Sequence, residues 1–564
     1  MLFFDFEVFK HDWLVVIIDT DKEQIHEIIN DKPELERIYN LNKNNIWIGY
    51  NSRRYDQYIL KAILCGFNPK EINDFMIVEG RGGWEFSEVL NKIQIMNFDI
   101  MTSMHSLKQL EGFMGNNIKE TSIPFDIDRK LTDNELVEVL KYCRHDVEQT
   151  IEVFLNRKEE FQSHLGLIKA FNLPLSYISK TKAQLSAIIL ESQKQDHNDE
   201  FEITIVDPLR LTKYNYVKEY YMNPINLDYD KKLTTEIYGV KHILAFGGIH
   251  GAIDNYIDEG FYIMSDIASM YPSLMINHNM LSRNVAEPEK FKQIRDSRIV
   301  YKRAKNPLQA PLKIVINGTY GASKDKNNAL YDPLMANNVC INGQLLIVDL
   351  LEKLELVFGN RLKLIQSNTD GILVKLKNST DYDKYLEVCK EWEKRTGFEL
   401  EHDKYCKVIQ KDVNNYIIVD ESGKYKSKGA YVKKLNKLDY DLPIVNKALV
   451  NYFLYNIPVE KTILECDELI EFQKIVKVSS KYKYAIHNNR ILSEKTLRVF
   501  ASRVRSDGGI FKVKINTQEK IANTPTRCFI MNEDINGMSC PRALDKRWYV
   551  EVANKRIKDF KGEK

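Results

Sequence analysis

Carboxylates set in apolar surroundings are the first candidates for chemistry in this sequence, because burying one is costly unless a cation or solvent compensates it. The central stretch is Met264 to Ile276. Phe261 to Met264 reads as a strand, and Asp266 stands where that strand ends. Ser269 to Ser273 then turn the chain into an apolar segment, Leu274 to Ile276. A carboxylate at a strand end can hold a divalent metal, and backbone N–H groups at the turn can hold phosphates. The same stretch would also serve as a strand–turn–helix corner with a solvated Asp. A second acid, Asp370, lies at a hairpin tip before Gly371, where turn chemistry alone would suffice. Lys313, Asn317 and Tyr320 recur at helical spacing and share a face, or its wet flank. Near the start, Asp5 and Glu7 sit two apart, so they project from one face of a strand. Asn51 and Asp56 lie close together, and Tyr142 and Asp146 are four apart.

The elements that position these residues follow from periodicity. Leu2 to Phe9 reads as a strand, with Trp13 to Asp19 as its hairpin partner. Residues 47–60 read as a strand running into a helix. Residues 131–155 form a strong helix, opened by a Thr132/Glu135 capping box, with Leu136, Leu140, Cys143, Val147, Ile151 and Phe154 as its apolar stripe. Residues 156–245 are mixed. Phe246-Gly247-Gly248-Ile249-His250-Gly251 is a turn or a place of close backbone approach. Residues 291–305, with Arg298 and Lys302, form a basic helix. A further helix is expected to start after Pro311 and close at Gly321. Residues 362–376 are two apolar strands around a tight turn.

The 564 residues suffice for three or four domains. Hydrophobic residues make up 44% and charged residues 28%, an ordinary soluble balance. A net charge of +2 gives no global signature of nucleic-acid binding. Residues 481–564 are locally basic, with 19 Lys/Arg against 9 Asp/Glu. None of the eight cysteines forms a C-x-x-C pair, which argues against zinc ribbons and thioredoxin-like chemistry and for a reducing compartment. The acidic N-terminus does not read as a signal peptide, and no apolar run of about 18 residues is expected to cross a membrane.

Taken in order, the N-terminal pieces resemble the proofreading domain of family B DNA polymerases: D-x-E (Asp5, Glu7), N-x3-(F/Y)-D (Asn51, Tyr55, Asp56) and Y-x3-D (Tyr142, Asp146). The central pieces resemble that family's polymerase motifs. Asp266 to Ser273 matches D-x-x-S-L-Y-P-S with Met270 for Leu. Lys313 to Gly321 matches K-x3-N-S-x-Y-G with Gly318 for Ser. Gln366 to Gly371 matches Y-x-D-T-D-S with Asn368 for the first Asp. Gly247-Gly248 resembles a Y-x-G-G segment with Ala245 at the Tyr position. Tyr416 matches a K-x-Y segment with Asn414 at the Lys position and Lys411 nearby.

The resemblance implies an α/β multidomain protein, an RNase H-like exonuclease domain followed by a right-hand polymerase. The expected boundaries are 1–155 for the exonuclease, 156–255 for a connector and the start of the palm, 256–280 for the first part of the palm, 281–325 for fingers, 326–430 for the second part of the palm, and 431–564 for a thumb or DNA-binding region. It implies Mg²⁺ or Mn²⁺, two ions per active site. Asp5, Glu7, Asp56 and Asp146 would hold one pair, with Tyr142 orienting water. Asp266, Asp370 and the Ile267 carbonyl would hold the other. Ser269, Met270, Lys313, Asn317, Arg298 and Lys302 would face the nucleotide, and Tyr271 would sit under its sugar. Asn51, Gly247, Gly248, Tyr320, Lys411 and Tyr416 would touch DNA. The implied partners are primer–template DNA, dNTPs, a helicase and a single-strand-binding protein, in phage replication. The 47 positions from Asp266 to Lys313 and the 57 from there to Asp370 leave no room for the insertions of protein-primed phage polymerases. Asn368 removes a carboxylate, so an exonuclease with a degenerate polymerase half is the alternative. A non-catalytic DNA scaffold and a reverse transcriptase or primase are the readings from other classes.

Overall fold

The computed structural model describes every residue except Ser103, Met104, Asn516 and Lys564. The chain divides into two compact units. Unit 1 gathers residues 1–180, 435–448 and 458–552; unit 2 gathers 181–434, 449–457 and 553–564.

Unit 1 is built on a five-stranded sheet. Its strands are β1 (Leu2–Val8), β2 (Trp13–Asp19), β3 (Gln24–Ile29), β4 (Ile46–Gly49) and β5 (Met96–Asp99), in the order β3-β2-β1-β4-β5. β1 is central, antiparallel to β2 and parallel to β4. Phe4, Phe6 and Val8 are buried, as an interior strand requires. Three helices matter to the site: α1 (Asp56–Cys65), α2 (Leu107–Met114) and α3 (Asp133–Asn156). α3 opens with the expected capping box and packs its buried face, including Cys143, Val147 and Phe154, against β1 and β2. The C-terminal part of this unit adds a three-stranded sheet (Lys474–Lys477, Thr496–Ala501, Cys528–Ile530) and a separate four-stranded one. At the first of these Arg498 is fully buried. Its guanidinium donates to Gln473 Oε1 (3.0 Å) and to the carbonyls of Gly112 (3.2 Å), Asn116 (2.6 Å) and Glu533 (2.5 Å).

Unit 2 holds a nine-stranded sheet in the order β14-β13-β12-β9-β11-β10-β8-β7-β6. The strands are β6 (Lys232–Ile237), β7 (Val240–Ala245), β8 (Gly248–Ala252), β9 (Tyr256–Ile267), β10 (Leu362–Ser367), β11 (Gly371–Leu376), β12 (Leu400–Asp412), β13 (Asn415–Val419) and β14 (Tyr425–Lys428). β9 sits mid-sheet between β11 and β12, which makes its end a defined place. Its helices include α4 (Lys182–Ile189), α5 (Met270–Asn277), α6 (Pro288–Arg303), α7 (Gln309–Ser323) and α8 (Pro333–Phe358). α7 packs on α4 and α6. It begins two residues before Pro311 rather than after it, since proline fits the first turn of a helix, where its missing N–H has no partner to lose.

One expectation needs correcting. Among the described residues the helix Pro333–Arg361 is long and apolar enough by composition to cross a bilayer, but 94% of its apolar window is buried inside the protein. The run escapes a simple scan because Asn337, Asn338, Asn342, Gln344 and Asp349 interrupt it. These polar groups are satisfied internally: Asn338 and Asn342, for example, accept the backbone N–H groups of Thr204 and Val206 at 2.9 Å. It is a core helix.

Candidate active sites

In unit 1, β1 places Asp5 and Glu7 on one face, opposite Val16 and Leu14 of β2. Asp56 is the first residue of α1 and accepts the Phe6 N–H at 3.1 Å, which draws it to the same strand. α3 brings Tyr142 and Asp146. The four acids lie in one another's fields. Burial first, then Asp56, Glu7 and Asp146, hold Asp5 well above the usual carboxylate range. Burial and Asp146 do the same to Glu7. Burial pushes Asp56 up to about 7 and Asp146 to about 6. Tyr142 is likewise raised by burial and by these acids, so its hydroxyl stays protonated.

Two further residues complete this cluster: Lys108, absent from the sequence reading, and Cys143, read there only as part of an apolar stripe. Lys108 on α2 donates to Asp146 and, at 3.0 Å, to Glu111, and its ammonium lies 4.6 Å from the Tyr142 ring centre. Burial disfavours its charge; the Asp146 and Glu111 charges outweigh that and keep it cationic. Cys143 donates its thiol to the Asp5 carbonyl at 3.3 Å. Its Sγ and one carboxylate oxygen each from Asp5 and Glu7 lie within 4.8 Å of one another. Burial and Asp5 keep that thiol protonated, so it serves as a neutral donor. Two like charges about 4 Å apart cost ~4 kcal/mol at an effective dielectric near 20. The carboxylates of Asp5 and Glu7 are such neighbours, and hard oxygen donors fit Mg²⁺ or Mn²⁺. No sequence pattern flags Lys108, because α2 lies far along the chain and only the fold brings it to Asp146.

Asn51 is held at the edge of this site with φ +62°, and its N–H donates to Asp99 Oδ1 at 2.9 Å. Asp99 also accepts the N–H groups of Arg53 (3.0 Å) and Met101 (2.9 Å), a role that sequence reasoning missed.

In unit 2 the register sets Gly371 opposite Asp266, and the Ile267 N–H donates to the Asp370 carbonyl at 2.7 Å. The two acids therefore meet at the ends of adjacent strands. A Cβ on Gly371 would lie 2.0 Å from Asp266 Oδ1. The space beside this glycine is thus taken by the Asp266 carboxylate. Burial, then Asp370, pushes Asp266 up to about 6. Asn368 Oδ1 accepts the Asp370 N–H at 3.2 Å, so the neutral amide keeps the turn that an Asp would make. Gly248, at φ +145°, packs against the same turn: a Cβ there would lie 2.7 Å from Thr369 Oγ1. Gly247 has nothing within 4 Å of its own added Cβ, and Phe246-Gly247 forms the turn from β7 to β8.

A cleft of about 320 Å³ opens beside these acids, lined by Ser269, Met270, Tyr271, Asn317, Tyr320 and Asp370 among others. Ser269 caps α5 at φ +51°, a costly conformation for a serine. Arg298 Nη1 donates to Ser269 Oγ at 3.4 Å, and its Nε is buried with no hydrogen-bond partner among the described residues. An unsatisfied cationic donor beside a helix N-terminus suits an anion. Lys313 stands one turn before Asn317 on α7 and is exposed. Lys302 forms an ion pair at 3.5 Å with Glu401, the residue opposite Asp266 on β12. Tyr416, on the same sheet, has a proton held by burial and by the Asp266 and Asp370 charges. Lys411 is not brought to this cluster: its ammonium lies 2.7 Å from Asp412 and over the Tyr431 ring. Glu401 and Asp403, which also act on Asp266, were not foreseen.

No family model matches the chain. It is 28% identical over 222 residues to a protein named DNA polymerase 1 from Sulfolobus acidocaldarius, covering 32% of this chain and 25% of that protein. It is 30% identical over 173 residues to DNA polymerase 1 of Saccharolobus solfataricus, covering 27% and 19%. The chain thus spans about a quarter or less of the curated relatives it matches. Among solved structures, the family B DNA polymerase from the hyperthermophilic archaeon Pyrobaculum calidifontis aligns with 99% of this chain and 77% of that one, at 14% identity and a TM-score of 0.42.

Proposed function

We propose that this chain, a relative of the family B DNA polymerases, is a template-directed DNA polymerase that adds dNTPs to a primer 3′ end and proofreads with a 3′–5′ exonuclease. The observation that carries the reading is that Asp266, opposite Gly371, and Asp370 meet at adjacent strand ends, with Asp370 lining a cleft of about 320 Å³. Divalent ions held by Asp266, Asp370 and the Ile267 carbonyl, and by Asp5, Glu7, Asp56 and Asp146, would activate the attacking oxygen and stabilise the leaving one. The chain's own residues do the rest. Arg298 and the N–H groups of Ser269 and Met270 bind and orient the triphosphate. Lys313 and Lys302 add positive charge, the latter by leaving Glu401. Tyr271, backed by Tyr320, bears on the sugar. In the nuclease, Lys108 fixes Asp146 and the Tyr142 hydroxyl orients water. We place the enzyme in phage replication in the host cytoplasm, extending ordinary primers with help from a helicase and a single-strand-binding protein.

The second reading, a nuclease with an inactive polymerase half, is favoured by Asn368 alone. One experiment separates the two. Asp266→Ala abolishes primer extension by at least a thousandfold and leaves nuclease activity on a single-stranded oligonucleotide within twofold, and Asp5→Ala with Glu7→Ala does the reverse. Parent protein that degrades but never extends would leave the second reading.

A further inference from the structure

Gly318 is where α7 departs from the motif it resembles, and its surroundings supply a reason. Glycine inside a helix costs stability relative to alanine. α7 carries two glycines, and they differ. A Cβ on Gly321 would meet nothing within 4 Å, whereas a Cβ on Gly318 would lie 2.9 Å from Ser186 Oγ on α4. Ser186 is fully buried, and its hydroxyl donates to the Lys182 carbonyl one turn back at 2.9 Å. It therefore presents bulk to α7 and no free donor. Behind that oxygen there is room. The Ser186 Cβ and the Lys182 carbonyl would each lie 4.0 Å from the same added atom, an ordinary contact. Among the described residues, the tight contact at position 318 is thus a single oxygen of a neighbouring helix.

α4 is held in this place along its length and beyond its end. A Thr181/Gln184 capping box opens it, and Leu185, Ala187 and Ile189 are buried. The chain that follows is tied to both ends of the segment that holds α6 and α7. Ahead of α6, the Gln193 N–H donates to the Asn284 carbonyl at 2.9 Å, and Asp199 pairs with Arg283 at 2.6 Å. In the first turn of α6, Lys290 pairs with Glu191 at 2.5 Å. Past the end of α7, the Lys194 ammonium donates to the Lys326 carbonyl at 2.5 Å. Residues 181–199, read from the sequence as part of a connector, are thus fastened to the segment 283–326.

We propose that Ser186 is a positioning residue for the incoming nucleotide. By seating α7 through Gly318, it sets where Asn317, the preceding residue, and Lys313, one turn earlier, stand at the cleft. This rests on the polymerase reading for what the cleft holds. Groups that bind a substrate equally before and during the reaction act on KM and leave kcat alone. The test is single-nucleotide primer extension by the full-length protein with Mg²⁺ and a varied dNTP. Gly318→Ala should raise the KM for dNTP about fivefold and leave kcat within twofold. The same substitution made in Ser186→Ala protein should change KM by less than twofold, because the oxygen it would crowd is gone. Ser186→Val, which enlarges the contact from the α4 side, should raise KM as Gly318→Ala does. Nuclease activity on a single-stranded oligonucleotide should stay within twofold in each variant, which separates a shifted helix from a damaged fold. A KM that Gly318→Ala leaves unmoved, or raises equally with and without Ser186→Ala, would overturn the assignment while the parent's extension still supports the polymerase reading. A parent that extends no primer would overturn that reading and the assignment with it.

Discussion

At the scale of residues, the pair Tyr271 and Tyr320 shows how neighbours set a role. Their ring centres are 4.2 Å apart at 38°. Burial, and the Cys340 thiol beyond, keep both hydroxyls protonated. Both rings line the cleft, and a ring held by its neighbour can refuse an extra hydroxyl on a sugar. Tyr271→Ala should raise ribonucleotide incorporation relative to deoxyribonucleotide at least tenfold, read as the ratio of kcat/KM values. Unchanged discrimination would remove Tyr271 from that role. The carboxylates at 5, 7, 56, 146, 266 and 370 were singled out in the sequence by the order and spacing of their motifs, each of which alone is weak. Lys108, Asp99 and Glu401 were not, since a single charged residue on a helix or strand is common and only tertiary neighbours give it meaning.

At the scale of elements, strand ends and close approaches place the chemistry. The expected strands and helices around each motif are present, since their alternating and helical patterns are strong. What the patterns could not give is which strands pair. Gly371 and Gly248 are small because Asp266 and Thr369 fill the space above them, which only the β8–β10–β11–β9 order reveals. The same sheet buries a histidine. His242 is fully buried, with its Nδ1 at 2.7 Å from the Val240 carbonyl and its Nε2 at 2.6 Å from Ser367 Oγ on β10. Burial pushes its pKa from 6.5 down to about 4. The folded protein thus binds this proton less readily than the unfolded chain does. His242 contributes stability that is whole above pH 6.5 and lost as pH falls to about 4, up to ~3 kcal/mol. His242→Gln should flatten the fall in unfolding free energy between those pH values by about that amount. Parallel pH profiles for parent and variant would show that the histidine charges without cost.

At the scale of the whole molecule, the two candidate sites lie in different units, and sequence order does not mark the units out. Residues 458–552, far from the N-terminal sheet in the chain, belong to unit 1 with it. There Arg498 grips the carbonyls of Gly112 and Asn116 at and beyond the end of α2, the helix that delivers Lys108 to Asp146. Composition showed only that this region is basic; a buried arginine that organises a loop looks like any other arginine in a sequence. Two chemistries in two units predict a division of labour on one DNA end. The most direct measurement supplies the full-length protein with Mg²⁺, dNTPs and two labelled primer–templates, one with a paired and one with a mispaired 3′ terminus. The paired primer should be extended at once. The mispaired one should lose its terminal nucleotide before extension, and Asp5→Ala with Glu7→Ala should leave that primer unextended. Removal of nucleotides from both termini with extension of neither would contradict a polymerase that proofreads.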